Sequence, residues 1–136
     1  QKKSSEKFNE WLFKEDKNGD YPLTISAQKN NTQFISDLLK ETITPRNFGK
    51  ALMLCNKEGN SPIMIAILNK NEQIVKLFLD TVNKVRDVGA IRKFYSSHAN
   101  KKQQKLSDLV NQWENIDPSL KEQITKFIDD GGLLKS

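Results

Sequence analysis

From Asp16 to Leu39 the chain alternates between polar and apolar blocks. A polar stretch, Asp16-Lys-Asn-Gly-Asp-Tyr21, gives way to Pro22-Leu-Thr-Ile-Ser-Ala27, and Lys29-Asn30-Asn31 interrupts the run. Phe34, Ile35, Leu38 and Leu39 then recur at the spacing that puts them on one face of a helix. The pattern predicts a turn, a short helix over 23–28, a break, and a second helix. Pro22 suits the first turn of a helix, where no backbone donor is needed. Gly19 supplies the positive φ such a turn requires.

The same pattern returns forty residues later, with no gap, over Asn56–Leu79. Lys17, Gly19, Pro22, Ile25, Asn31, Gln33 and Leu39 meet the identical residues Lys57, Gly59, Pro62, Ile65, Asn71, Gln73 and Leu79. A second short helix is therefore expected over 63–68, and a partner helix bearing Ile74, Val75, Phe78 and Leu79. Thr32 and Asn71 are the expected caps of the two partner helices. One helix pair cannot bury its apolar face alone, so further copies are expected. Asn100–Val110 has the shape of a third, with Gln103 in the place of Gly and Leu106 in the place of Pro. Its partner helix is expected over 118–130, capped by Asp117 and ended by Gly131, with Leu120, Ile124, Phe127 and Ile128 facing inward. Glu6–Glu15, with Phe8, Trp11, Leu12 and Phe13, reads as the second helix of an incomplete earlier copy. Between the copies, 45–54 (capped by Thr44) and about 82–95 are expected as linker helices. Ala51, Leu52 and Leu54, and Val88, Ile91 and Phe94, would pack them on the stack.

These residues resemble ankyrin repeats. The family pattern D-x-x-G-x-T-P-L-H-x-A, followed by I-V-x-x-L-L, is met by "DKNGDYPLTISA" with "FISDLL" and by "NKEGNSPIMIAI" with "IVKLFL". Tyr21 and Ser61 replace the usual Thr, and Thr24 and Met64 the usual His. The forty-residue period exceeds the roughly 33 residues of ordinary ankyrin repeats. Long helical linkers of this kind are similar to those of host-directed effectors from intracellular bacteria. The resemblance implies an all-α helical-repeat solenoid with short polar turns. Its expected parts are a partial N-terminal repeat (6–15), repeats at 16–41 and 56–81, linkers at 42–55 and 82–99, and a degenerate C-terminal repeat (100–130).

Composition narrows the rest. The 136 residues suit one domain, and the longest apolar run, Ile63–Leu68, is far too short to span a membrane. The N-terminus has no signal-peptide character. Gln1 in place of Met, with the half-repeat at Glu6–Glu15, points to a piece of a longer chain. The net charge of +5 is spread over a lysine-rich surface without interleaved aromatics, a pattern of solubility more than of nucleic-acid recognition. "DKNGDYPLT" begins like a calcium loop, yet Gly19 falls at position 4, Tyr21 at 6 and Ala27 at 12. Calcium needs Gly at 6 and Glu at 12, so no metal site is expected there. One cysteine, Cys55, excludes an internal disulfide and fits a reducing compartment. Cys55 follows an apolar run and His98 is the single histidine. Nothing in their spacing pairs them, and Cys/His metal sites fail by count. No enzyme, cofactor or metal is expected. Trp11 and Trp113, near the two ends, are expected to cover the terminal repeats rather than to anchor a partner.

The resemblance implies a monomeric, intracellular module that binds another protein on the concave surface of turns and first helices. The variable positions there are Lys17, Asn18, Asp20, Gln28 and Lys29, and Lys57, Glu58, Asn60, Leu68 and Asn69. Leu68 is apolar at a position usually exposed, which makes it a candidate anchor. Two other classes stay open: binding of nucleic acid or anionic membrane through the basic face, and a structural or regulatory segment of a larger enzyme.

Overall fold

The computed structural model describes residues 10–40, 45–84 and 88–129. The expected caps Thr44 and Gly131, the side chain of Leu39 and the N-terminal Phe8 lie outside the described residues. Eight helices follow in order: α1 Pro22–Gln28, α2 Thr32–Lys40, α3 Pro45–Ala51, α4 Pro62–Leu68, α5 Glu72–Val82, α6 Val88–Ser97, α7 Leu106–Gln112 and α8 Pro118–Asp129. A helical turn at 10–12 precedes them. There is no strand among the described residues, only a single antiparallel bridge between Ala99 and Lys105. The architecture is the expected all-α stack of helix pairs.

The first helices α1, α4 and α7 lie side by side, and so do the partner helices α2, α5 and α8. α3 packs on α5 and α6, while α6 packs on α7 and α8. Each linker helix thus covers the helix pair that follows it, through an aromatic pair. Phe48 of α3 meets Phe78 of α5 with ring centres 5.8 Å apart, and Tyr95 of α6 meets Phe127 of α8 at 6.0 Å. Trp11, on the N-terminal turn, meets Phe34 of α2 in the same way at 5.9 Å. Ala51, Leu52 and Ile91 are buried, and Leu54, Val88 and Phe94 are packed at the margin, as their spacing predicts.

α4 sits between two first helices and its own partner, and every residue from Pro62 to Ile67 is buried. Only a helix apolar all round can be enclosed this way. Each of its large side chains stabilises by about 1.5–3 kcal/mol. The first helices α1 and α4 end alike. Asn30 (φ 56°) and Lys70 (φ 57°) take the left-handed conformation. The amides of Asn30 and Asn31 return to the carbonyls of Ala27 and Ser26, and those of Lys70 and Asn71 to Ile67 and Ala66. This is the Schellman closure, with non-glycine residues at the left-handed position.

Two element boundaries differ from expectation. Asn31, not Thr32, caps α2, its side-chain oxygen accepting from the Phe34 amide at 3.1 Å. Its carbonyl also takes the first intrahelical bond, from Ile35, which leaves Thr32 inside the helix. Asn71 caps α5 as predicted, accepting from Ile74 at 3.1 Å. The second linker helix begins at Val88 rather than near Val82, because the apolar stripe of α5 continues through Val82. Asp117 caps α8 through the Leu120 amide at 3.1 Å. The N-terminal turn repeats the exit of α3 in register. Phe13 and Lys14 donate to Glu10 and Trp11, as Met53 and Leu54 donate to Lys50 and Ala51.

Candidate interaction surface

The surface is built from one local device used three times. Asp16 Oδ1 accepts from the amides of Asn18 (2.8 Å) and Asp20 (3.0 Å). Asn56 does the same with Glu58 (3.1 Å) and Asn60 (3.0 Å), and Asn100 with Lys102 (2.9 Å) and Gln104 (3.0 Å). A short oxygen-bearing side chain thus imitates a backbone turn. In each loop the fourth residue has positive φ: Gly19 at 79°, Gly59 at 80°, Gln103 at 64°. Asp16 therefore shapes the turn, its Oδ1 accepting from two backbone amides. The third turn keeps the geometry without Gly or Pro, and its readable signal is Asn100 in the place of Asp16 and Asn56.

Each turn passes into its first helix. Where the family pattern has His, Thr24 both accepts from the Tyr21 amide and donates to the Tyr21 carbonyl, each at 2.8 Å. In the third copy Asp108 accepts from the Lys105 amide at 2.9 Å. Met64, buried at the same place in the second copy, packs instead.

Turns two and three are joined along their backbones. The Lys101 amide donates to the Glu58 carbonyl at 3.0 Å, and Asn100 Nδ2 donates to Asn60 Oδ1 at 2.8 Å. His98 Nε2 lies 2.7 Å from the Gly59 carbonyl. A carbonyl only accepts, so this nitrogen carries the proton. Its ring stacks on Phe94 at 4.6 Å.

The ten candidate residues fall into two groups. Lys17 and Asn18, with Lys57 and Glu58, stand exposed on the first two turns, and Asp20 and Asn60 lie half-buried at their bases. Partial burial, then the neighbouring carboxylates of Asp16 and Glu58, raise the Asp20 carboxyl above its ordinary value against the pull of Lys57. Gln28, Lys29, Leu68 and Asn69 are exposed at the far ends of α1 and α4. A seven-residue helix, about 10 Å long, separates the groups. Two candidates bind the stack itself: Asn60 through Asn100, and Asn69, whose amide donates to the Ala27 and Gln28 carbonyls at 3.1 and 3.2 Å. Leu68 is 46% exposed. The third turn adds the exposed Lys101 and Lys102, so one lysine stands at the second position of every turn: Lys17, Lys57, Lys101.

Cys55 and His98, 43 residues apart, do meet: Sγ lies 3.4 Å from Nε2. Their spacing gave no sign of it, because α6 folds the chain back on the second turn. The contact does not make an activated thiol. Nε2 already donates to Gly59 and cannot take the thiol proton, and burial pushes the Cys55 pKa up to about 11. A nucleophilic cysteine needs the opposite shift. Trp113 is buried at its end of the stack, as expected, whereas Trp11 is 43% exposed.

The first two of these turns and their helix pairs are matched by sequence: the family model of Ankyrin repeats (3 copies) covers residues 2–88. The chain belongs to the ankyrin repeat family. No curated protein and no solved structure matches it. Ankyrin repeats are in general protein–protein interaction modules. The turn at Asn100 and helices α7 and α8 lie beyond the matched span and extend this ankyrin stack by the same geometry. No described helix is long and apolar enough to cross a membrane. Among the described residues no group of His, Cys, Asp and Glu is placed to hold a metal ion.

Proposed function

We propose that this ankyrin domain docks a partner protein along its row of turns, with Leu68 as an apolar anchor at the opposite edge of the first helices. The observation that carries the reading is the threefold turn. Its donors and acceptors are satisfied internally, so the outward side chains Lys17, Asn18, Lys57, Glu58, Lys101 and Lys102 are presented on a backbone already ordered before binding. A preorganised surface avoids much of the entropy of ordering on association. Asp20 and Gln28 border this surface. Lys29 is exposed beside Gln28, and Asn60 and Asn69 support the surface through their bonds to neighbouring repeats. The long helical linkers favour a role inside a cell, as part of a larger and host-directed effector, with the partner a host protein.

The test is affinity capture from host cytosol with the wild-type domain and with Leu68→Asp and Lys57→Glu variants. Both positions are exposed, so the variants are expected to melt as the wild type does. Proteins held by the wild type and released by both variants would support the reading. Equal capture by all three would sink it. The lysine row favours a second reading, an anionic polymer or membrane surface, which predicts binding that weakens steeply with salt. A flat salt response removes that reading.

A further inference from the structure

The N-terminal end of the stack carries a groove of about 500 Å³ between the turn at 10–15 and α1–α2. Its apolar lining is Trp11, Pro22, Ile25 and Phe34, none of them fully buried. The residues forty positions on are Ala51, Pro62, Ile65 and Ile74, and all four are buried. They are buried at the next level of the stack, where the pair α1–α2 lies directly ahead of α4–α5. The groove is therefore the open counterpart of an interface that is closed one repeat later.

The polar lining follows the same correspondence. Lys29 and Asn31 stand where Asn69 and Asn71 stand in the next repeat. There, Asn69 donates to the last carbonyls of α1, and Asn71 Nδ2 donates to Asn30 Oδ1 at 3.1 Å, in the loop that follows α1. Lys29 is thus placed to meet the C-terminal carbonyls of a helix, the end that favours a cation.

We propose that this groove seats the helix pair of a further ankyrin repeat, stacked ahead of α1–α2 as α1–α2 is stacked ahead of α4–α5. Its first helix would end at Lys29 and Asn31, with its apolar face on Ile25 and Phe34. Residues 1–9 contain one large apolar residue, Phe8, too few for such a face. The opposite end of another copy does not fit either, since Ser119, Lys121, Glu122 and Thr125 of α8 are exposed and polar, the character of a stack terminus. Residues 10–15 already match the segment that carries the chain from one repeat into the next, so the occupant is a repeat tethered through that segment.

The test extends the chain in its own period. A duplicate of residues 16–40 is placed directly before Gln1 of the full 136-residue chain, which continues the forty-residue register. Single-tryptophan versions (Trp113→Phe and, separately, Trp11→Phe) report each indole. In the extended chain, acrylamide quenching of Trp11 is expected to fall to the level of the buried Trp113, and the melting temperature to rise. Lys29→Glu is expected to lower the melting temperature of the extended chain more than that of the original. Trp11 remaining as quenchable as before would overturn the proposal. So would an equal effect of Lys29→Glu in both chains. Neither readout involves the partner proposed for the turn row, so the two readings fail independently.

Discussion

Gly19 and Gly59 offer a matched pair of substitutions that separates the cost of a turn from the cost of stacking turns. Their φ angles are 79° and 80°, so replacement by alanine imposes the same left-handed penalty at both, about 1–2 kcal/mol. Their surroundings differ. Among the described residues, a Cβ on Gly19 would meet only the Lys57 Cβ at 3.7 Å, an ordinary contact. A Cβ on Gly59 would lie 3.1 Å from both the Asn100 Cα and the Lys101 nitrogen. Those are backbone atoms of the third turn, and that turn is held in place by the Lys101 amide on the Glu58 carbonyl and by Asn100 on Asn60. They cannot swing aside as a side-chain end would. Overpacking of this kind adds about 1–3 kcal/mol. Gly19→Ala is therefore expected to cost about 1–2 kcal/mol and Gly59→Ala about 2–5 kcal/mol. Urea unfolding followed by far-ultraviolet circular dichroism measures both. Because repeat stability is a sum of units and interfaces, Gly59→Ala should also broaden the transition by uncoupling the third turn. Equal losses for the two variants would refute the reasoning, since they would mean that the turn contact adds nothing to the backbone term.

Two further outcomes are expected. Lys70→Gly removes a non-glycine residue from φ 57° at the Schellman closure of α4, and is expected to raise stability by about 0.5–1 kcal/mol, read as a higher urea midpoint; a lower midpoint would show that the Lys70 side chain contributes more than its backbone costs. Burial raises the Cys55 pKa from its ordinary value of 9.0 to about 11, so between these two values the unfolded chain loses a proton that the folded chain keeps. Stability from this group is full below pH 9 and falls as pH rises through 11, and native Cys55 should alkylate at pH 8 far more slowly than in urea; equal rates would contradict the burial.

The repeat was legible because its signals are local. Gly-x-x-Pro, the polar residue three positions before the Gly, and the apolar spacing after the break each act within a few residues, and the backbone answers to them wherever they occur. The third copy was harder to read for the same reason. Gln103 adopts a glycine-like φ of 64° without being glycine, held there by bonds from Asn100 and by contact with the second turn. Asn31 in place of Thr32 as a cap is a miss of one residue, decided by which side chain reaches the Phe34 amide.

What the sequence alone determined is therefore the repeating unit: its turn, its helix pair, its forty-residue period and its ankyrin family. Only the tertiary structure decided which polar side chains face outward. Asn60 and Asn69 read as variable surface positions, yet their amides bind a neighbouring repeat. Cys55 and His98 read as unrelated, yet α6 brings them together. The open face at Trp11, Ile25 and Phe34 carries the same apolar pattern as its covered counterpart one repeat on. A hydrophobic pattern states that a face wants to be buried. Whether anything buries it depends on segments tens of residues away, and only stacking brings those into contact.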